Sequence, residues 1–317
     1  MILDFYEGEL DGNTWEKLCQ SCYRIRYQNE HYIEIPAVLG GDAGIEGFTQ
    51  TGIVNQCYYP ERNYNDEELY SHLREKMSKD IAKLINLDYK KRLLKLGVPV
   101  IKEWHFVIPF YKDSRIIQHA ENKKNEVLNL KKKNPTLYDY IDDNFRIIIK
   151  QAEDFKFEIV RTIRNSFTDV KLDLSKIEVS KAADWEMCNS DKVRNITRKV
   201  KAVMGDEYDQ DDFNELVDLY VDSYIKGLEI MKVLRESYAE IYDDIFSLET
   251  TYKRQVKIKT MMNSNRSLNA DIFKEILEDF EKQLKEVCRY FAIPSILELK
   301  VDIISMWLAD CSMQFRK

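Results

Sequence analysis

The residues best able to do chemistry are gathered in one short stretch. It reads Gly40-Gly41-Asp42-Ala43-Gly44-Ile45-Glu46-Gly47-Phe48 and is followed by Gln56-Cys57-Tyr58-Tyr59-Pro60. Asp42 and Glu46 are carboxylates on a glycine-rich turn that runs into a strand. At ~4 Å apart they would repel by roughly 1 kcal/mol in water and roughly 4 kcal/mol at an effective dielectric of ~20. A divalent cation relieves that repulsion. Magnesium favours a small number of carboxylates, with waters and a substrate phosphate completing its shell. Such an ion activates water and offsets charge at a phosphoryl centre. Strand alternation puts Gln56 and Tyr58 on one face and Cys57 and Tyr59 on the other, so a polar pair can point back at the acids. Glu16, upstream, is a candidate third carboxylate.

These residues need elements to hold them. Residues 11–26 carry Trp15, Leu18, Cys19, Cys22 and Ile25 at helical spacing, with Asn13 or Thr14 as the cap. Residues 31–38 are rich in strand formers. Five of the chain's ten glycines then fall between Gly40 and Gly52. Short strands are expected at 45–50 and 53–59, turning at Thr51-Gly52. One long amphipathic helix is expected over 66–96, ended by Gly97-Val98-Pro99. Buried strands follow at 104–108 and 145–149, with helices at 114–132 and 151–164. The order α-β-β-β-α-β-α-β-α predicts an α+β domain whose sheet is covered on both faces, a three-layer α/β/α arrangement. Beyond about residue 172 the strand signal fades. Helices are expected at 191–204, 212–233, 238–262, 270–291 and 295–316, forming an all-α second domain. The boundary is placed at 169–175, giving domains of 1–170 and 171–317.

Other polar features have plainer readings. Cys19-x-x-Cys22 lacks the second pair that a structural zinc site requires, and its helical spacing suits packing. His105 lies inside an apolar strand and reads as a satisfied core histidine; His119 has no visible partner. The acidic run from Asp206 to Asp212 lacks the glycine and terminal glutamate of a calcium loop and reads as a solvated helix start. Lys131-Lys132-Lys133 reads as an exposed helix end.

Taken together, the helix carrying Glu16, the turn Gly44-Ile45-Glu46-Gly47 and Gln56 ten residues beyond Glu46 resemble the PD-(D/E)XK, or restriction-endonuclease-like, superfamily. The similarity is closest to Mrr-like enzymes and the nuclease domains of anti-phage defence effectors. It spans residues 14–110 well and extends less firmly to 167. The resemblance implies a magnesium- or manganese-dependent DNA endonuclease subunit of a prokaryotic anti-phage defence system. Asp42 and Glu46 would bind the metal, Glu16 would hold a water at it, Gln56 would orient substrate, and Tyr58 would line the site. The family's lysine position is occupied by Tyr58, a phenol that is neutral at pH 7. Lys76, Lys79 or Lys83 on the following helix are candidate replacements. The alternative is a catalytically inactive scaffold that keeps the nuclease fold within a defence complex. The helical domain would then regulate, oligomerise, or dock a sensor or ATPase subunit.

Composition bounds these readings. The 317 residues carry a net charge of −7, which argues against a non-specific basic coat for nucleic acid but leaves room for a local groove. The opening residues lack a signal-peptide pattern, and no run is apolar enough to span a membrane. The six dispersed cysteines fit a reducing compartment, so a cytoplasmic location is expected.

Overall fold

Asp11, rather than Asn13 or Thr14, caps the first helix in a computed structural model of the chain: its side chain accepts from the Thr14 amide at 2.7 Å. The structure describes residues 2–7, 10–36, 43–165, 170–176 and 190–315. It divides into two compact units. One comprises residues 1–4 and 8–169; the other comprises Phe5–Glu7 and 170–317. Residues 5–7 count with the second unit because β1 (Tyr6–Glu7) pairs antiparallel with β7 (Lys171–Leu172).

The first unit is a mixed α/β structure. After α1 (Gly12–Arg26) come β2 (Ile33–Glu34), β3 (Gly47–Phe48) and β4 (Ile53–Cys57), followed by β5 (Ile101–Ile108) and β6 (Ile141–Gln151). These five strands form one sheet in the order β2-β3-β4-β5-β6. The first three run as an antiparallel meander, and β4, β5 and β6 are parallel. The expected strand at 31–38 is shorter here, and its residues 37 and 38 lie outside the described residues, as do Asp42 and Cys188.

The helix expected over 66–96 is two helices, α2 (Asp66–Leu84) and α3 (Leu87–Lys95). The break has a local cause. Asn86 adopts an extended conformation and its side chain accepts from the Asp88 amide, which starts a new helix. Asn65 opens α2 with a reciprocal capping box to Glu68. Two further helices complete the unit, α4 (Arg115–Lys133) and α5 (Lys156–Arg164).

Alternation along β5 divides the two faces. Trp104, Phe106 and Ile108 join Leu73, Met77, Ile81 and Leu84 of α2 in one core. On the opposite face, α1 packs on β4 and α5. There the Trp15 indole donates to the Val107 carbonyl, and Tyr23 bonds His105 at 2.8 Å. His105 is buried and its other ring nitrogen meets Glu103 at 2.9 Å, so it is a satisfied core histidine. His119 does have a partner, the Ser78 hydroxyl at 2.9 Å.

The second unit is mainly helical. It contains α6 (Ser190–Met204), α7 (Gln210–Ser237), α8 (Ala239–Met262), α9 (Asn269–Val287) and α10 (Ile293–Ala309). Asp209 caps α7, accepting from the amides of Asp211 and Asp212. Helix α10 is apolar nearly all round and is surrounded by α6, α7 and α9, as such a helix must be. Among the described residues no helix is long and apolar enough to cross a membrane.

One acid interrupts that buried helix. Asp302 is 2% exposed, its Oδ2 lacks a hydrogen-bond partner among the described residues, and its Cβ sits against Gly227 of α7. Burial pushes its pKa up to about 7 against the help of Lys226. The unfolded chain therefore releases this proton at lower pH than the folded one, and stability from this group falls as pH rises from about 4 to 7. Asp302→Asn has no proton to lose. Its melting temperature relative to wild type is expected to rise over that interval and level off above it; a difference independent of pH would refute the assignment.

Candidate functional site

Glu46 is placed by the meander. Its amide donates to the Asn55 carbonyl at 2.7 Å, and its own carbonyl accepts from the Ile35 amide at 2.8 Å. The carboxylate is thus pinned between β2 and β4 and is only 8% exposed. Gln56 Nε2 donates to Oε1 at 2.5 Å, and the Cys57 amide donates to Oε2 at 2.9 Å. The ten-residue spacing in the sequence is therefore a direct contact across neighbouring strands.

Burial dominates the electrostatics. It raises the Glu46 pKa to about 8, opposed by hydrogen bonds from Cys57 and by the charge of Lys76, and reinforced by Glu16. Glu16 and Lys76 thus act on one carboxylate from different helices, α1 and α2. Glu16 is half-buried and accepts from Gln20 at 3.1 Å. Cys19 and Cys57 are buried free thiols beside Glu46, and burial raises the pKa of both. They are packing residues rather than nucleophiles.

Of the candidate lysines, Lys76 has a charge that lowers the Glu46 pKa. Its Nζ lies 2.9 Å from Asp80 Oδ2, and Lys83 lies 3.3 Å from Asp80 Oδ1. Lys79 pairs with Glu75 at 2.7 Å on the exposed side of α2. Asp80 is a residue that sequence reasoning missed. It is 1% exposed, and a signal existed: it falls on the apolar stripe Leu69, Leu73, Met77, Ile81, Leu84, three residues past Met77.

Tyr58 does not take the lysine's place at Glu46. Its amide donates to the Val107 carbonyl, and its ring lines a cleft of about 890 Å³ where β4 and β5 end. Tyr59, Tyr64 and Phe110 line the same cleft. Burial keeps the Tyr58 phenol neutral, with its pKa pushed up to about 12.

Among the described residues, no three His, Cys, Asp or Glu side chains converge as a metal-holding group. Asp42, the proposed second ligand, lies outside them. One feature nonetheless suits a hard cation. Gln56 is 1% exposed, and its Oε1 has no hydrogen-bond partner among the described residues, although it belongs to the amide that touches Glu46. A carboxylate held away from water beside an unsatisfied carbonyl oxygen is an all-oxygen donor set of the kind magnesium and manganese prefer. Comparison with protein-family models, with curated proteins and with solved structures gave no match to this chain.

Proposed function

We propose that the first unit is a restriction-endonuclease-like domain that hydrolyses DNA phosphodiester bonds with magnesium or manganese, as the effector subunit of a prokaryotic anti-phage defence system. One observation carries this reading. A buried glutamate, braced by a glutamine ten residues on, feels a second glutamate from the preceding helix and a lysine from the following one. That is the set of residue types the resemblance calls for, with Lys76 supplying the charge that Tyr58 cannot.

Glu46 would hold the cation, with Asp42 and the Gln56 Oε1 as further donors. When bound, it would activate water and neutralise charge at the phosphorus. Glu16 would orient the attacking water from the α1 side. Lys76 would bring a positive charge toward the scissile phosphate, shared in the resting protein with buried Asp80. Desolvation strengthens each of these electrostatic contributions. In this reading the helical unit oligomerises or docks a sensor or ATPase subunit.

A second reading rests on the same lysine. The 2.9 Å pair between Lys76 and Asp80 satisfies the charge internally, as expected of a scaffold that keeps the fold without the activity.

The deciding test is plasmid degradation with magnesium or manganese, alone and with any co-purifying partner. Wild type is expected to cut, Glu46→Ala to be inert, and Lys76→Met to be slowed by roughly 10²-fold, the scale of losing one electrostatic group in a dry site. Full activity in Lys76→Met would remove that lysine from the mechanism. No cutting by wild type, with no metal bound by calorimetry, would leave the scaffold.

A further inference from the structure

The cleft beyond Glu46 has a lining that the chemistry of phosphodiester hydrolysis does not require. Its floor and walls include four aromatic rings, Tyr58, Tyr59, Tyr64 and Phe110, none of them fully buried, and its rim carries Arg62 and Lys112. Trp15, Trp104 and Phe106 are sealed in the core, while other rings of this unit, Tyr70, Tyr111 and Tyr138 among them, are partly exposed; what sets these four apart is that they share one concave space. Three of the four, Tyr58, Tyr64 and Phe110, pack one side against the core, and the partly exposed remainder offers a surface on which a flat ligand can lie.

The rings are braced. Trp15 lies against Tyr59 with centroids 6.0 Å apart, and His72 stacks on Tyr64 at 4.2 Å. The Arg62 guanidinium also lies 5.1 Å from the Tyr64 ring centre, so a base reaches that ring only by displacing it, and Tyr58, Tyr59 and Phe110 are the rings offered first. The cleft neighbours the site along the strand, because Tyr58 is the next residue after Cys57, whose amide holds Glu46, although Glu46 itself does not line it.

We propose that this cleft stacks unpaired nucleobases, so that the protein engages its nucleic acid as a single strand. The inference deepens the nuclease reading and rests on it for the location of the phosphate. In a duplex the base faces are covered by their neighbours and cannot reach the rings; in a single strand they are open, and stacking tolerates any sequence. The rim cations suit the backbone. Lys112 pairs with Asp66 at 3.1 Å and Arg62 with Glu68 at 3.9 Å, both exposed contacts that a phosphate can exchange. Two acids, Asp11 and Glu61, share the lining with the two cations, and the capping bonds of Asp11 favour its anion, so the rings rather than net charge must supply the affinity.

The test is fluorescence anisotropy with the full chain in EDTA, using labelled oligo-dT and oligo-U of about 15 nucleotides and a duplex of the same length. Single strands are expected to bind at least about tenfold tighter than duplex, and the DNA and RNA arms identify the sugar preferred. Tyr58→Ala should weaken single-strand binding roughly tenfold while Tyr58→Phe retains it, because the ring and not the hydroxyl does the stacking. Lys112→Ala, on the exposed rim, should weaken binding severalfold and lower its salt dependence whether or not Tyr58→Ala folds. Duplex binding equal to or tighter than single strand, or undiminished affinity in both Tyr58→Ala and Lys112→Ala, would overturn the proposal. Retained single-strand binding by a wild type that never cuts would remove the nuclease but keep the cleft, and cutting confined to duplex would do the reverse.

Discussion

Manganese is expected to bind about fiftyfold more tightly at pH 8 than at pH 6, and Glu46→Gln to abolish that binding while making the metal-free protein more stable. Both effects come from the same buried carboxyl. With its pKa near 8, Glu46 is almost wholly protonated at pH 6 and about half ionised at pH 8. A cation must displace the proton, so apparent affinity follows the ionised fraction. The stability effect has the opposite sign. The unfolded glutamate ionises near its ordinary value of 4.5, well before the folded one, so metal-free stability falls as pH rises from about 4.5 to 8. The loss is on the order of 3–5 kcal/mol at the upper end. The Glu46→Gln variant carries no such penalty: the side-chain oxygen of the new amide can still accept from the Cys57 amide, and its NH2 can donate to Gln56 Oε1 once that amide turns over. The variant's stability advantage should therefore grow with pH across this interval and vanish near pH 4. Calorimetric titration with manganese and thermal melts at several pH values measure the two effects independently. Undiminished manganese binding in Glu46→Gln would mean that Glu46 is not a ligand, and affinity flat between pH 6 and pH 8 would mean that the metal displaces no proton from it. An advantage for Glu46→Gln that is the same at pH 4 and pH 8 would mean that its carboxyl is not held protonated by burial.

The contact between Glu46 and Gln56 was legible in the sequence because two strands joined by a tight turn put residues ten apart side by side. The sheet was legible for a similar reason: Trp104 to Ile108 and Phe145 to Ile149 are short apolar runs bounded by turns. The break between α2 and α3 was not, since the apolar periodicity continues across it and only Asn86, an unremarkable polar residue, marks the new start. Asp80 was hidden among many charged residues of α2, although its place on the apolar stripe set it apart. The cap at Asp11 was placed two to three residues late because Asn13 and Thr14 are also good capping residues, and only backbone geometry chooses among them. The aromatic cleft was beyond reach from the sequence. Tyr58 and Tyr59 follow β4, Phe110 follows β5, and Tyr64 precedes α2, so nothing local shows that these rings share one space. Parallel pairing of β4 with β5 brings those strand ends together.

Gly44→Ala is expected to cost the first unit about 3–5 kcal/mol, against about 1–2 kcal/mol for Gly97→Ala, although both glycines have left-handed backbones. Gly44 has φ +79° and Gly97 φ +74°, so a side chain pays a similar conformational cost at either. Their surroundings differ. A Cβ at Gly97 would meet nothing within 4 Å, whereas at Gly44 it would lie 2.3 Å from the Asp80 backbone carbonyl of α2. That contact cannot be relieved by rotating a side chain. Either the turn or the helix must move, and the Trp104 indole, which donates to the Gly44 carbonyl at 2.9 Å, resists movement of the turn. Helix α2 is therefore the element expected to shift, carrying Lys76 and Asp80 away from Glu46, two residues beyond the glycine. At roughly 2–4 °C per kcal/mol for a unit of this size, the two variants should differ in melting temperature by about 5–10 °C. Equal losses would show that the close approach of turn to helix carries no energetic weight. A Gly44→Ala protein that unfolds early but retains the metal affinity of wild type would show that the site does not depend on where α2 sits.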